Sequence, residues 1–116
     1  MVRTDPLLEP FQLRHLRLKN RVISTGHVPP GYTARGLPKE RYQLYLEERA
    51  KGGMSLFIFG GSSLVAPDSS PIYDQIYVGD DRVIPYFKQI AERMLPYGMS
   101  VMCQITHMGR RGTWNN

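Results

Sequence analysis

Apolar and polar residues change rhythm several times along the chain, and each change marks an element. Residues 7–20 (LLEPFQLRHLRLKN) place Phe11, Leu13, Leu16 and Leu18 on alternate positions around Arg14-His15, which predicts a short hairpin turning there. Residues 21–26 (RVISTG) read as a brief strand centred on Val22 and Ile23. Residues 27–37 hold Pro29, Pro30, Gly31 and Gly36 and read as loop. A helix is predicted next, with Pro38 in its first turn and Gly52-Gly53 closing it in the left-handed conformation. Tyr42, Tyr45, Leu46 and Ala50 form its apolar stripe, with Glu40, Glu47 and Glu48 turned to water.

Residues 55–60 (SLFIFG) are apolar on successive rather than alternate positions, as expected of a strand buried on both faces of a parallel sheet. After a Ser-, Pro- and Asp-rich loop, Val83, Phe87, Ile90, Met94 and Leu95 recur at helical spacing. Asp80 or Asp81 can cap that helix, and Pro96 and Gly98 stop it. Residues 100–106 (SVMCQIT) give a third strand.

Strands alternating with amphipathic helices predict an α/β fold with parallel pairing. The unit starts fall near Val22, Ser55 and Ser100. An eightfold barrel spends ~30 residues per unit. The chain therefore reads as one incomplete barrel domain over residues 1–116, with a cap hairpin at 1–20 and three strands with two helices over 21–116. A self-contained three-stranded α/β domain is the alternative, although it would expose an apolar edge at its last strand.

Composition narrows this picture only a little. The 116 residues are 41% hydrophobic and 22% charged, an ordinary globular balance. The net charge of +5 is uneven: residues 1–21 hold five basic and two acidic groups, residues 22–100 eight of each, and Arg110-Arg111 add the rest. Solvated ends account for such a distribution better than a nucleic-acid surface does. The single Cys103 excludes an internal disulfide. No leader pattern opens the chain, and the longest strongly apolar run is Leu56–Phe59, so a soluble, cytoplasmic protein without membrane or nucleic-acid partners is expected.

Ligands of parallel α/β folds collect beyond the carboxyl ends of the strands. Those ends are Thr25-Gly26-His27, Gly60-Gly61-Ser62-Ser63 and Gln104-Ile105-Thr106-His107. Small residues let a flat ligand approach the backbone, and an amide can donate and accept along its edge. Gln104 interrupts an apolar strand, where an unsatisfied amide costs ~1–3 kcal/mol; it either bonds a neighbouring strand or water, or holds a ligand. His27 and His107 carry the same two readings, structural hydrogen bonding and chemistry. Dinucleotide, P-loop and nucleophile-elbow patterns are all missing. Cys103 and His107 do not make a metal site by themselves, so no metal is expected.

Three segments together resemble the old yellow enzyme family of FMN-dependent oxidoreductases, which use a (β/α)8 TIM barrel. They are Phe11 with the hairpin leading into Leu18-Lys19-Asn20-Arg21-Val22-Ile23, Glu48-Arg49-Ala50-Lys51-Gly52-Gly53 before an apolar strand, and Gln104-Ile105-Thr106-His107-Met108-Gly109-Arg110. The subgroup that includes 2,4-dienoyl-CoA reductase and trimethylamine dehydrogenase is the nearest, and the similarity runs along nearly the whole chain.

The resemblance implies that Thr25, Gly26 and His27 lie along the isoalloxazine, that Gly61 lies against the ring, and that Gln104 hydrogen-bonds the flavin pyrimidine. The opening hairpin would cap the amino-terminal mouth of the barrel. Gly26 stands where many relatives have Pro, and His27 where a Met is common. The amine dehydrogenases attach FMN through a Cys at the next position; Val28 here implies non-covalent FMN. An iron–sulfur cluster would need cysteines beyond this barrel portion. NAD(P)H and a small-molecule substrate are the implied reaction partners.

The chain thus reads as the N-terminal part of an enzyme carrying out enoate or dienoyl-CoA reduction or oxidative N-demethylation. Its substrate-binding pair and proton donor would lie on later strands, with His27 the candidate within these residues, and the 116 residues alone are expected to be inactive. Two rivals remain. One is a small basic module presenting Arg14, Arg17, Lys19, Arg21 and Arg110-Arg111 to nucleic acid; the other is an inactive truncated paralogue.

Overall fold

A computed structural model describes residues 5–69 and 75–111. Two short antiparallel strands, β1 (Phe11–Leu13) and β2 (Leu16–Leu18), pair across the two-residue turn Arg14-His15, with Arg14 at φ 50°. The predicted hairpin is therefore present in register. Lys19 Nζ donates to the Tyr97 carbonyl at 2.6 Å, and Asn20 Nδ2 to the Gly53 carbonyl at 2.6 Å. These bonds fasten the end of the hairpin to the main body.

The main sheet has three parallel strands, β3 (Ile23–His27), β6 (Leu56–Leu64) and β7 (Ser100–Thr106), with β6 in the centre. The apolar run Leu56–Phe59 forms this central strand, as the unbroken hydrophobicity requires. Between β3 and the first helix, β4 (Thr33–Ala34) and β5 (Leu37–Pro38) make a second small hairpin. Helix α1 (Glu40–Lys51) then crosses to β6, and α2 (Ile84–Met94) crosses to β7.

Several boundaries differ from the sequence reading, each for a local reason. The first strand starts at Ile23, and neither Val22 nor Ile23 is buried at its heart; they are 38% and 49% exposed. Pro38 belongs to β5, so Lys39 rather than a proline turn precedes α1. Only Gly53 takes the left-handed backbone (φ 96°), whereas Gly52 is still right-handed. β6 continues past Gly60 to Leu64, where it bridges Tyr77. Asp80 caps a short 3-10 turn ahead of α2, through the Arg82 N–H. Leu95 leaves the apolar stripe and is 77% exposed. Glu47, read as water-facing, is half-buried and accepts from the Tyr97 hydroxyl at 2.9 Å while pairing with Arg93 at 3.6 Å.

The core lies between the sheet and the two helices. Tyr42, Leu46 and Ala50 of α1 and Ile90 and Met94 of α2 pack on Phe57 and Phe59 of β6. Each buried Leu, Ile, Met or Phe among them contributes about 1.5–3 kcal/mol. Alternation then sends Leu56, Ile58 and Met102 to the opposite face, where the rungs Ile23–Leu56 and Ile58–Met102 align. The hairpin covers the lower part of that face: Phe11, Leu13 and Leu18 line a cleft of about 280 Å³ with Ile23 and Leu56. Among the described residues no helix is long and apolar enough to cross a membrane.

Candidate functional site

The three strand ends converge on one amide. Gln104 on β7 follows Met102 by two and shares its exposed face. Its Nε2 reaches across β6 to donate to the Gly61 carbonyl at 2.6 Å. Its Oε1 lies against β3, where a Cβ on Gly26 would strike Oε1 and sit 2.9 Å from the amide carbon. Gly26, Gly61 and Gln104 therefore come together, and glycine at 26 makes room for the amide. Thr25, two residues beyond Ile23 and exposed, flanks this group on β3.

A double irregularity shapes the floor. The ladder between β6 and β7 slips between Phe59 and Ser63, and the ladder between β3 and β6 slips between Ser24 and His27. Gly60 and Gly61 take up the slip on β6 with φ values of 87° and 29°, a region other residues rarely adopt. Gly61 also passes so close to β3 that a Cβ there would lie 2.6 Å from the His27 Cα and 2.9 Å from the Val28 nitrogen. Side chains hold this bulge. The Gly60 N–H donates to the Tyr42 hydroxyl at 3.0 Å, and the Gly60 carbonyl accepts from Ser63 Oγ at 3.1 Å. Tyr42 in turn donates to the His27 carbonyl at 3.0 Å.

The His27 ring points away from the Gln104 amide, into the helix side of the sheet. It packs on Phe57 with centroids 5.3 Å apart and meets Tyr45 edge-on at 5.6 Å. Nδ1 lies 3.0 Å from the Thr25 carbonyl and Nε2 lies 2.8 Å from the Tyr45 hydroxyl. A carbonyl only accepts, so the proton sits on Nδ1 and Nε2 accepts from Tyr45 in the neutral ring. His27 thus brings its backbone, and not its imidazole, to the glycine floor. His107 lies apart, in the loop after β7. Its Nδ1 accepts the Gly109 N–H at 2.9 Å and its Nε2 faces Asp68 Oδ1 at 3.2 Å, which joins that loop to the one after β6.

Burial sets the two perturbed groups nearest the site. It pushes the Tyr42 phenol well above its ordinary value, against the lowering effect of the Gly60 N–H. The half-buried Cys103 thiol is also raised by burial, opposed by its contact with Ser63 Oγ at 3.4 Å. Sequence pattern puts Tyr42 in the helical stripe and Ser63 at a strand end, and gives neither a part in holding the bulge. The only trace is a tyrosine where leucine or phenylalanine would fill the same helical stripe.

The arrangement is a glycine-lined shelf beside apolar Ile23 and Met102, which are 49% and 45% exposed, with one amide offering Oε1 and a second N–H at its rim. Such a shelf has room for a flat ring and hydrogen-bonding groups to match one polar edge of it. Comparison with known proteins gives this shelf a context. The model of the NADH:flavin oxidoreductase / NADH oxidase family matches residues 6–116. The multifunctional alkene reductase/demethylase OYE of Caballeronia cordobensis is 50% identical over 109 residues, 94% of this chain and 16% of its own length. A probable N-methylproline demethylase of Rhizobium meliloti (strain 1021) is 41% identical over 111 residues, 96% of this chain and 16% of its length. The chain therefore spans about a sixth of the length of these curated relatives. In structure, the old yellow enzyme of Trypanosoma cruzi superposes with a TM-score of 0.79 at 24% identity, over 92% of this chain and 28% of that one. That likeness is one of fold: the three parallel strands and their two helices match a portion of a (β/α)8 barrel. By fold and by sequence, the chain belongs to the NADH:flavin oxidoreductase / NADH oxidase family, the old yellow enzymes.

Proposed function

We propose that these residues form the N-terminal part of an FMN-dependent oxidoreductase, with Thr25, Gly26, Gly61 and Gln104 along the flavin and His27 contributing backbone beside it. The observation that carries this reading is the Gln104 amide, tied to the Gly61 carbonyl above Gly26 at the carboxyl ends of three parallel strands. The residues fit the group. A flavin pyrimidine presents alternating carbonyl and N–H along one edge, which an amide oxygen and N–H complement. Glycine at 26 and 61 leaves the backbone open to the flat ring, and Ile23 and Met102 offer apolar area.

The flavin supplies hydride transfer at N5, to or from a nicotinamide or a substrate carbon. The role of the chain is orientation and electrostatics. The Gln104 N–H favours negative charge along the pyrimidine edge, and so favours the reduced ring. Val28 offers no sulfur for attachment, so FMN is held non-covalently. The Tyr45–His27–Thr25 chain of hydrogen bonds gives His27 a structural part.

The relatives are named for alkene reduction and for demethylation. The proposed reactions are accordingly NAD(P)H-linked reduction of an enoate or dienoyl-CoA, or oxidative removal of an N-methyl group, in a soluble cytoplasmic enzyme of small molecules. The substrate-binding pair and proton donor would come from later strands, and any iron–sulfur cluster from outside these residues. The 116 residues alone would not turn over.

The test is to purify the protein encoded by the intact reading frame. A flavin-type visible spectrum, bleached by NAD(P)H and lost to the supernatant as FMN on acid precipitation, is expected. A colourless protein contradicts the function, and flavin retained in the precipitate contradicts non-covalent binding. Steady-state assays with an unsaturated carbonyl and with an N-methylated amino acid then separate the two reactions.

A further inference from the structure

We infer that Tyr42, with Ser63, is a positioning residue that fixes the Gly60–Gly61 bulge, and through it the orientation of the Gln104 amide. The inference rests on reading the strand ends as the flavin shelf, and it assigns a role there to two side chains that do not themselves lie on the shelf.

In a regular parallel ladder the Gly60 N–H would find a carbonyl on a neighbouring strand. The ladders slip on both sides of β6 at this point, and the slip leaves that N–H to a side chain. Tyr42 supplies the replacement. Its fully buried phenol oxygen accepts from Gly60 N–H and donates to the His27 carbonyl, both at 3.0 Å. One hydroxyl thereby sets the separation of β3 and β6 just where Gly61 passes within contact of the His27 backbone. Ser63 holds the following peptide, between Gly60 and Gly61, by donating to the Gly60 carbonyl at 3.1 Å. With the Gly60 N–H and carbonyl both held, and Gly61 pressed against the His27 and Val28 backbone, the Gly61 carbonyl is presented to Gln104 Nε2, which donates to it at 2.6 Å. That bond decides which way the amide faces: nitrogen toward Gly61, oxygen toward Gly26. The order of dependence is Tyr42 and Ser63, then the Gly60–Gly61 backbone, then Gln104.

Loss of the Tyr42 hydroxyl, with its ring kept, should free the bulge without emptying the core. The experiment uses the full-length protein and three variants: Tyr42→Phe, Ser63→Ala and, as a control, Leu46→Ala. Leu46 is buried on the same face of α1 and is not bonded to the bulge. Amide hydrogen exchange at Gly60 and Gly61, FMN affinity and the flavin visible spectrum are read for each. Tyr42→Phe is expected to speed exchange at the bulge about tenfold or more. It should also weaken FMN about tenfold, the equivalent of one hydrogen bond, and displace the flavin bands. Ser63→Ala should act in the same direction by a smaller factor. Leu46→Ala should lower the melting temperature while leaving the flavin bands where they are.

Unchanged flavin bands, FMN affinity and bulge exchange in Tyr42→Phe would overturn the inference, as would equal changes in Leu46→Ala. If Tyr42→Phe does not fold, Ser63→Ala against Leu46→Ala decides by the same readouts. If the wild-type protein holds no FMN, the flavin reading fails, and exchange at Gly60 and Gly61 still shows whether Tyr42 fixes the bulge.

Discussion

The amide oxygen of Gln104 occupies the place where a side chain on Gly26 would stand. The two residues are on strands separated by β6, so the contact spans the full width of the sheet. It joins a residue that needs no side chain to one whose side chain needs the space.

Two glycine replacements should therefore behave differently. Gly26→Ala meets only the far end of a flexible side chain, so the Gln104 amide can swing aside. A stability loss below about 1 kcal/mol is expected, with the main effect on FMN binding. Gly61→Ala meets the His27 and Val28 backbone at φ 29°, and neither can yield without opening β3 from β6. A loss of about 2–4 kcal/mol is expected by urea denaturation. Equal losses for the two variants would show that the close approach at Gly61 is not a constraint.

High pH should weaken the fold through Tyr42. Burial raises the folded-state value of this phenol above its ordinary value near 10. Above that pH the unfolded chain releases the proton while the folded chain keeps it, so stability falls as pH rises. One such group contributes up to about 1.4 kcal/mol per pH unit over that range. Denaturation midpoints between pH 8 and pH 11 should fall more steeply in the wild type than in Tyr42→Phe, which has no proton to lose there. Parallel slopes would mean that the phenol ionises as readily folded as unfolded.

Cys103 should react slowly. Its raised thiol leaves less thiolate at pH 8 than an exposed cysteine has, and its sulfur faces the Ser63 hydroxyl. Peptide mapping after iodoacetamide treatment should show the Cys103 peptide modified more slowly than a free thiol at the same pH. Modification at the free-thiol rate would place Cys103 in an open, polar setting.

Asn20 should matter for stability and not for flavin. Its Nδ2 donates to the Gly53 carbonyl, its Oδ1 accepts the Val22 N–H at 3.0 Å, and its own carbonyl accepts from Ser55 Oγ at 2.9 Å. The side chain locks the hairpin-to-strand junction to the turn before β6, far from the carboxyl ends. Asn20→Ala should cost about 1–3 kcal/mol in thermal or urea unfolding, with FMN affinity kept. A stability matching the wild type would remove the junction from the list of what holds the hairpin.

Hydrophobic rhythm made the architecture legible. The successive apolar residues of Leu56–Phe59 announced a central parallel strand, and the stripes through Leu46 and Ile90 announced helices that cover one face of it. That Gly26, Gly61 and Gln104 come together was legible because all three stand at the carboxyl ends of parallel strands, where small residues and an amide are conspicuous. What pattern could not give were features set by pairing between strands. The slips beside Gly60, the extension of β6 to Leu64 and the small hairpin ending at Pro38 depend on partners distant in sequence. The same applies to side-chain direction. A bulge at His27 turns its ring toward Tyr45, and a stripe tyrosine differs from a stripe phenylalanine only through a bond to Gly60.

Whether Gln104 reads the polar edge of a bound flavin is measured by the midpoint potential of FMN in the full-length protein and in Gln104→Leu. Loss of the amide donor should make reduction harder, lowering the two-electron potential by about 30 mV, which corresponds to about 1.4 kcal/mol. A protein that binds no FMN, or a Gln104→Leu variant with an unchanged potential, would contradict it.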